Sequence, residues 1–227
     1  MSATETRARI VDAATRLLVE GGPDAVSTRS VSAAAGVHAP AIYRLFGDKA
    51  ELMDAVGSHG LLGYLASKET LEPSGDPVDD LRRGWDLHLG FAVTNPALYA
   101  VIFLTPRPGA RSSAERRSEE ILAGLVHRIA LAGRLALPED AAARLVHATG
   151  RGVALSLIST PASERDPDLP ARAFAMVRAA ITTDSPASPA GLDAAAVTVR
   201  AGLGDEERLT PGERLVMSEW LDRLIAG

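Results

Sequence analysis

Between Ser27 and Val56 the chain reads STRSVSAAAGVHAPAIYRLFGDKAELMDAV, and its glycines and single proline leave few folds open. Ser27 suits a helix N-cap, and Thr28 to Ala34 carry small or apolar side chains with one charge, Arg29. Gly36 can take the left-handed conformation that ends such a helix. A second helix restarts near Ala39, with Pro40 in the first turn, where a missing N–H costs nothing. It runs through Ile42, Tyr43 and Leu45 to Phe46. Gly47 stops it, and Asp48 caps a longer helix starting at Lys49. Two short helices across a glycine turn make a helix-turn-helix, whose second helix enters the major groove of DNA.

An apolar helix precedes the pair, with Ile10, Ala13, Ala14, Leu17 and Leu18 at helical spacing and Gly21-Gly22 as its close. Then follow Val26-Ser27-Thr28-Arg29, Ala35-Gly36-Val37, Ile42-Tyr43-Arg44-Leu45-Phe46, and Asp48-Lys49 with Leu52. In order and spacing these residues resemble the N-terminal domain of the TetR family of transcriptional regulators, over about residues 5 to 60. Tyr43, Phe46 and Lys49 are the most specific part of the resemblance. Two positions depart from the family pattern. His38 stands where Ser or Thr usually caps the recognition helix, and its imidazole is expected to accept a backbone N–H or approach a phosphate. Ser32 stands where a buried Ala is usual, and its hydroxyl is expected to bond a carbonyl one turn earlier.

The resemblance implies that Tyr43 and Lys49 hold phosphates, with Thr28 joining them through its hydroxyl at a helix start, where anions are favoured. Arg29 and Arg44 are long donors suited to guanine edges. His38, Ala39, Pro40 and Ala41 begin the recognition helix, where it meets bases, and the alanine methyls suit contact with thymine methyls. Val31, Ala35, Val37, Ile42 and Phe46 read as core.

The chain has a net charge of −5, so any attraction to DNA has to be local. From Ser27 to Lys49 there are three cations, Arg29, Arg44 and Lys49, against one anion, Asp48, and Arg7 and Arg9 add a basic N-terminal arm. An acidic remainder limits non-specific adhesion, which fits a specific reader better than a packaging protein. The absence of cysteine excludes disulfides, thiolate nucleophiles and thiolate-bound zinc. No secretory signal is visible at the start. The longest strictly apolar run, Ala97 to Leu104, is far below the ~20 residues that span a bilayer. The expectation is a cytoplasmic protein with no membrane partner.

The remainder reads as helix almost throughout. Lys49 to about Ala66 is the first segment. Asp76 caps a helix from Pro77 that carries Leu81, Trp85, His88, Leu89, Ala92 and Val93 on one face. Asn95-Pro96 breaks it before a short buried helix over 97–104, and Thr105 to Ser113 is a loop. Long helices are expected over 114–137, from Pro138 to about Ile158, and over 171–181. Thr182 to Gly191 has the composition of a linker. A last helix starts at Pro211, with Leu215, Val216, Trp220, Leu221 and Leu224 as its apolar face.

Trp85, Phe91, Tyr99 and Phe103 are large apolar groups in a chain only 4% aromatic. With His88, His127 and His147 as polar anchors they are the expected lining of a small-molecule effector site, each also open to a plain core role. The five histidines form no HExxH or close pair, so no metal site and no cofactor are expected. Gly150 and Gly152 within one helix suggest close packing against a neighbour. The family resemblance implies that this helix and the next build a dimer interface, and Ala142, Ala143, Ala148, Gly152, Ala175 and Ala179 would let two copies approach. No G-x-S-x-G and no Walker loop occurs, so the chain is not read as an enzyme.

Together these readings give an all-α chain. Residues 1–50 form a three-helix helix-turn-helix domain, 51–182 a larger helical effector-binding and dimerisation domain, and 183–227 a linker and helical tail. The function expected is a homodimeric repressor, released from a double-stranded DNA operator by a small-molecule effector. A helical adaptor or small-molecule-binding protein without DNA binding, or an unrecognised enzyme, is the alternative.

Overall fold

The computed structural model describes residues 2–69, 72–104, 113–183, 192–204 and 206–226, and the architecture is all-helical. The elements are α1 (Ala3–Ala25), α2 (Thr28–Ala35), α3 (Ala39–Phe46), α4 (Lys49–Glu69), α5 (Pro77–Thr94) and α6 (Pro96–Tyr99). A π-helical turn, Ala100–Leu104, continues α6. Then come α7 (Ser113–Leu131), α8 (Glu139–Ser159), a 3₁₀ turn at Ala162–Glu164, α9 (Leu169–Ile181), α10 (Leu192–Gly202) and α11 (Pro211–Ala226). The expected loop over 105–113 and linker over 182–191 lie outside the described residues, apart from Ser113, Thr182 and Thr183.

The chain divides into two compact units, Met1–Thr70 with Gly90–Ser118, and Leu71–Leu89 with Glu119–Gly227. In the first, Ser2 and Glu5 close a reciprocal capping box at the start of α1. The helix runs to Gly22, whose φ of 72° bends the chain before one more turn to Ala25. Ile10, Ala13, Ala14 and Leu18 are fully buried where α1 packs on α2 and α4. Two glycines of α4 admit α6 and the π-helical turn closely. A Cβ on Gly60 would fall 2.3 Å from Leu98, and one on Gly57 3.1 Å from Ile102.

In the second unit the start of α5 is held by carboxylates. Asp76 accepts from the Val78 N–H at 2.8 Å and from Arg134 Nη1 at 2.6 Å. Asp80, buried, accepts from the Ser74 N–H at 2.9 Å and faces Arg83 and Arg128. Trp85 meets Phe174 of α9 with ring centroids 5.7 Å apart, and Gly150 of α8 lies against Trp85 and His88. A methyl on Gly150 would stand 3.4 Å from the indole, so close packing explains this glycine; Gly152, by contrast, has open space around it.

Three expectations need correction here. The helix expected over 114–137 stops at Leu131, because Gly133 takes a φ of 69° and the chain then extends. Residues 134–136 pair with 181–183, Ala136 N–H donating to Ile181 O and Thr183 N–H to Arg134 O, which buries Leu135 without a helix. A helix not expected from the sequence, α10, packs on α11 through Ala196 and, just past its end, Leu203 against Leu221, Met217 and Ile225. That contact also redefines the apolar face of α11. Leu221 is buried, but Leu215, Val216, Trp220 and Leu224 are exposed. The residues that meet α10 follow the four-residue spacing 217, 221, 225, and the exposed ones flank that line.

Candidate nucleic-acid interface

Ser27 and Ser30 cap α2 reciprocally, Ser30 N–H donating to Ser27 Oγ at 3.0 Å and Ser27 N–H to Ser30 Oγ at 2.9 Å. The helix ends at Gly36, in the left-handed region with φ 61°, and the Val37 N–H returns to Ser32 O at 3.0 Å. This turn aims α3 away from α2. Gly47, with φ 71°, closes α3, and the Asp48 carboxylate accepts the Glu51 N–H at 2.8 Å to open α4. Each boundary is where the sequence placed it.

The short helix α3 has two distinct faces. Ile42 and Phe46, four residues apart, are buried in the first unit. Tyr43 is 55% exposed despite its ring, and His38, Pro40, Arg44 and Lys49 are exposed with it. Ala39 and Ala41 are half-buried between the faces. Val31 and Ala35 of α2 are buried as expected, while Val37 is only half-buried. Thr28 and Arg29 open α2 beside this surface. The Thr28 and Tyr43 hydroxyls lie 3.4 Å apart, which joins two of the expected phosphate ligands at one point.

Arg29, Arg44 and Lys49 have no carboxylate partner among the described residues, although Arg82, Arg134, Arg144 and Arg200 in the second unit are all ion-paired. Arg7 of α1 is a further member of the cationic group. Its guanidinium lies over the Phe46 ring, 4.8 Å from the centroid. The sequence showed Arg7 only as part of a basic arm; its stacking partner is 39 residues away and visible only in three dimensions.

At the two substituted positions the expected side-chain hydrogen bonds within the chain are absent. The His38 side chain makes no capping bond; its carbonyl accepts the Ala41 N–H instead, leaving the imidazole on the surface. Ser32 Oγ is buried without a hydrogen-bond partner, because the carbonyl-directed geometry is not adopted.

Of the seven residues expected at an effector site, Phe91, Tyr99 and Phe103 belong to the first unit and Trp85, His88, His127 and His147 to the second. In the first unit Phe91 stacks on Tyr64 at 4.7 Å, and Tyr99 packs against Phe103 at 4.8 Å. Burial, with Tyr99 nearby, pushes the Tyr64 hydroxyl far above its ordinary range and keeps it protonated. In the second unit Trp85 and His88 are buried, and Trp85 Nε1 has no acceptor among the described residues. His127 pairs with Glu139 at 3.1 Å, and His147 stands 3.9 Å from Glu119. Two pockets of the second unit, of about 560 and 550 Å³, are lined by α10, α11 and the start of α8, and by none of the seven residues.

The geometry on α1 to α4 agrees with comparison to known proteins. Residues 10–56 match the family described as bacterial regulatory proteins, tetR family. The likeness to that family lies in the helix-turn-helix segment. An HTH-type transcriptional repressor of Mycobacterium tuberculosis and an HTH-type transcriptional regulator of Mycobacterium bovis are each 39% identical over 85 residues, 37% of this chain. The matched stretch spans 43% of those relatives, under half their length. Among solved structures, NalD of Pseudomonas aeruginosa, the secondary repressor of the MexAB-OprM multidrug efflux pump, is similar with a TM-score of 0.54 and 22% identity. That likeness covers 80% of this chain and 98% of NalD. A protein of unknown function from Rhodococcus sp. RHA1 is similar with a TM-score of 0.66 at 22% identity, over 78% of this chain and 96% of that one. Both likenesses are of the fold. No single helix among the described residues is long and apolar enough to cross a membrane.

Proposed function

We propose that this chain is a DNA-binding transcriptional repressor, acting as a homodimer and released from its operator by a small molecule. The observation that carries the reading is the surface of α3 with its neighbours. An exposed helix face, a pair of hydroxyls at its edge and cations without carboxylate partners stand together on a chain of negative net charge. Unpaired cations are retained where a polyanion supplies the counter-charge. Repression is favoured because relatives of this chain act as repressors by description, the mycobacterial protein and NalD among them.

A two-fold dimer is proposed through α8 and α9. Leu145, Ala148, Gly152 and Leu155 form an exposed stripe on α8, and Ala175, Met176 and Ala179 are exposed on α9. Ala142 is not part of this face, since it is fully buried in its own chain. An isologous contact would set this patch against its own copy. For the effector, the buried Trp85 N–H without an acceptor supports a mainly apolar ligand carrying a hydrogen-bond acceptor. Release then requires the ligand to prefer the DNA-incompetent state; a coupling of about 1–3 kcal/mol shifts affinity ~5–150-fold.

The direct test is a mobility shift with the DNA that flanks the protein's own gene. A discrete retarded band, removed by unlabelled specific duplex and not by a scrambled one, is the expected result. Equal competition by both duplexes, or no band, would reject the reading.

A further inference from the structure

We propose that Arg7 is a third anchor for the DNA backbone, held beside the recognition helix by the Phe46 ring and binding phosphate alongside Tyr43 and Lys49. The proposal rests on the DNA-binding reading above and adds a residue from α1 to it.

Phe46 is 2% exposed, so the core of the first unit sets the position of its ring. The guanidinium of Arg7, on the exposed side of α1, lies over that ring at 4.8 Å. A guanidinium held over a ring by its cation–π attraction does not spend its N–H donors on that contact. Those donors form the fork that matches two phosphate oxygens. A free arginine would have to be ordered at the moment of binding, whereas the ring has already limited where this one can go.

The nearby acids do not take up this charge. Glu5, two residues away, accepts the Ser2 N–H at 2.8 Å, and Asp48, two residues beyond Phe46, accepts the Glu51 N–H at 2.8 Å. Arg7 has no ion pair among the described residues. Its place also selects phosphate over base. Phe46 is the last residue of α3, three before Lys49, whereas a recognition helix meets base edges chiefly through its N-terminal residues.

The test compares wild type, Arg7→Gln and Lys49→Ala by fluorescence anisotropy, on the gene-flanking duplex and a scrambled duplex over a range of salt. Arg7→Gln should weaken both duplexes by the same factor and lower the slope of log K against log salt by about 0.9. An Arg7→Gln protein with wild-type affinity and slope, beside a Lys49→Ala protein that has lost both, would overturn the role of Arg7 alone. A loss confined to the gene-flanking duplex would overturn the assignment to phosphate. Wild-type protein that binds neither duplex would overturn the DNA-binding reading and this inference with it.

Discussion

Lys49 and Arg44 are both exposed cations without a carboxylate, yet they stand at different ends of the docking problem. Lys49 begins α4 just after the Gly47 turn, so Lys49→Ala should weaken operator and random DNA alike and reduce the salt slope by about one phosphate's worth. Arg44 lies on the exposed face of α3, and Arg44→Ala should cost ~1–3 kcal/mol on the operator and relax preference at one base pair per half-site. Titrations at two salt concentrations, against operator and scrambled duplex, separate the two; a uniform loss for Arg44→Ala moves it to the phosphate class. These positions could be read in sequence because local rules place them: Ser27, Gly36, Gly47 and Asp48 each act on the backbone within four residues. Ser32 Oγ makes no bond to a carbonyl and the His38 imidazole does not cap α3, outcomes that local spacing alone does not decide. Arg7 was under-read because a cation–π contact leaves no spacing signal.

At the scale of elements, helix starts were more legible than helix ends. Asp76-Pro77 and Pro211 announce starts by their own chemistry, whereas Leu135 looked like the continuation of α7. Only its pairing with residues beyond α9 shows that it is extended. The eleven residues of α10 are too few to hold a helix alone, so that element depends on α11 and leaves a weak pattern. The junction of α5 with the end of α7 gives a pH test. Burial works to raise the Asp80 carboxyl, but hydrogen bonds from Ser74, with Arg128 and Arg83, outweigh it and hold the group below its usual range. The Arg134 hydrogen bond, then the Val78 N–H, lowers Asp76 as well. A lowered folded value means that the stabilisation is complete above the unfolded carboxylate range, near pH 4, and is lost as pH falls through the folded values. Asp80→Asn should therefore cost about 1.5–3 kcal/mol at neutral pH, with the gap to wild type narrowing in thermal melts as the pH falls below the unfolded carboxylate range. A gap constant with pH would show that the loss is steric and not ionic.

For the whole molecule, the sequence carried the helices of the helix-turn-helix far better than the packing of the rest. A helix-turn-helix meets a fixed partner, and its surface is constrained residue by residue; an effector site is assembled from side chains whose types also suit any core. Trp85, Phe91 and Tyr99 illustrate this, for all three are buried and packed on other aromatics. Self-association can be tested at one atom. Gly152 has nothing within 4 Å of an added Cβ in its own chain, so Gly152→Ala should raise the stability of the helix by ~1 kcal/mol. If α8 meets its copy there, the same methyl should weaken the dimer by ~1–3 kcal/mol. Gly124→Ala, also in open space but on α7, should gain stability without changing association. Sedimentation equilibrium of the three proteins decides it; identical dimer constants would remove α8 from the interface. The two tryptophans bring an optical consequence. Trp85 is sealed and Trp220 is 61% exposed, so the emission should resolve into a blue component shielded from iodide and a red component quenched by it. In a Trp220→Phe protein only the shielded component remains, and an acceptor drawn to its indole N–H would be reported as a change of colour with no label attached.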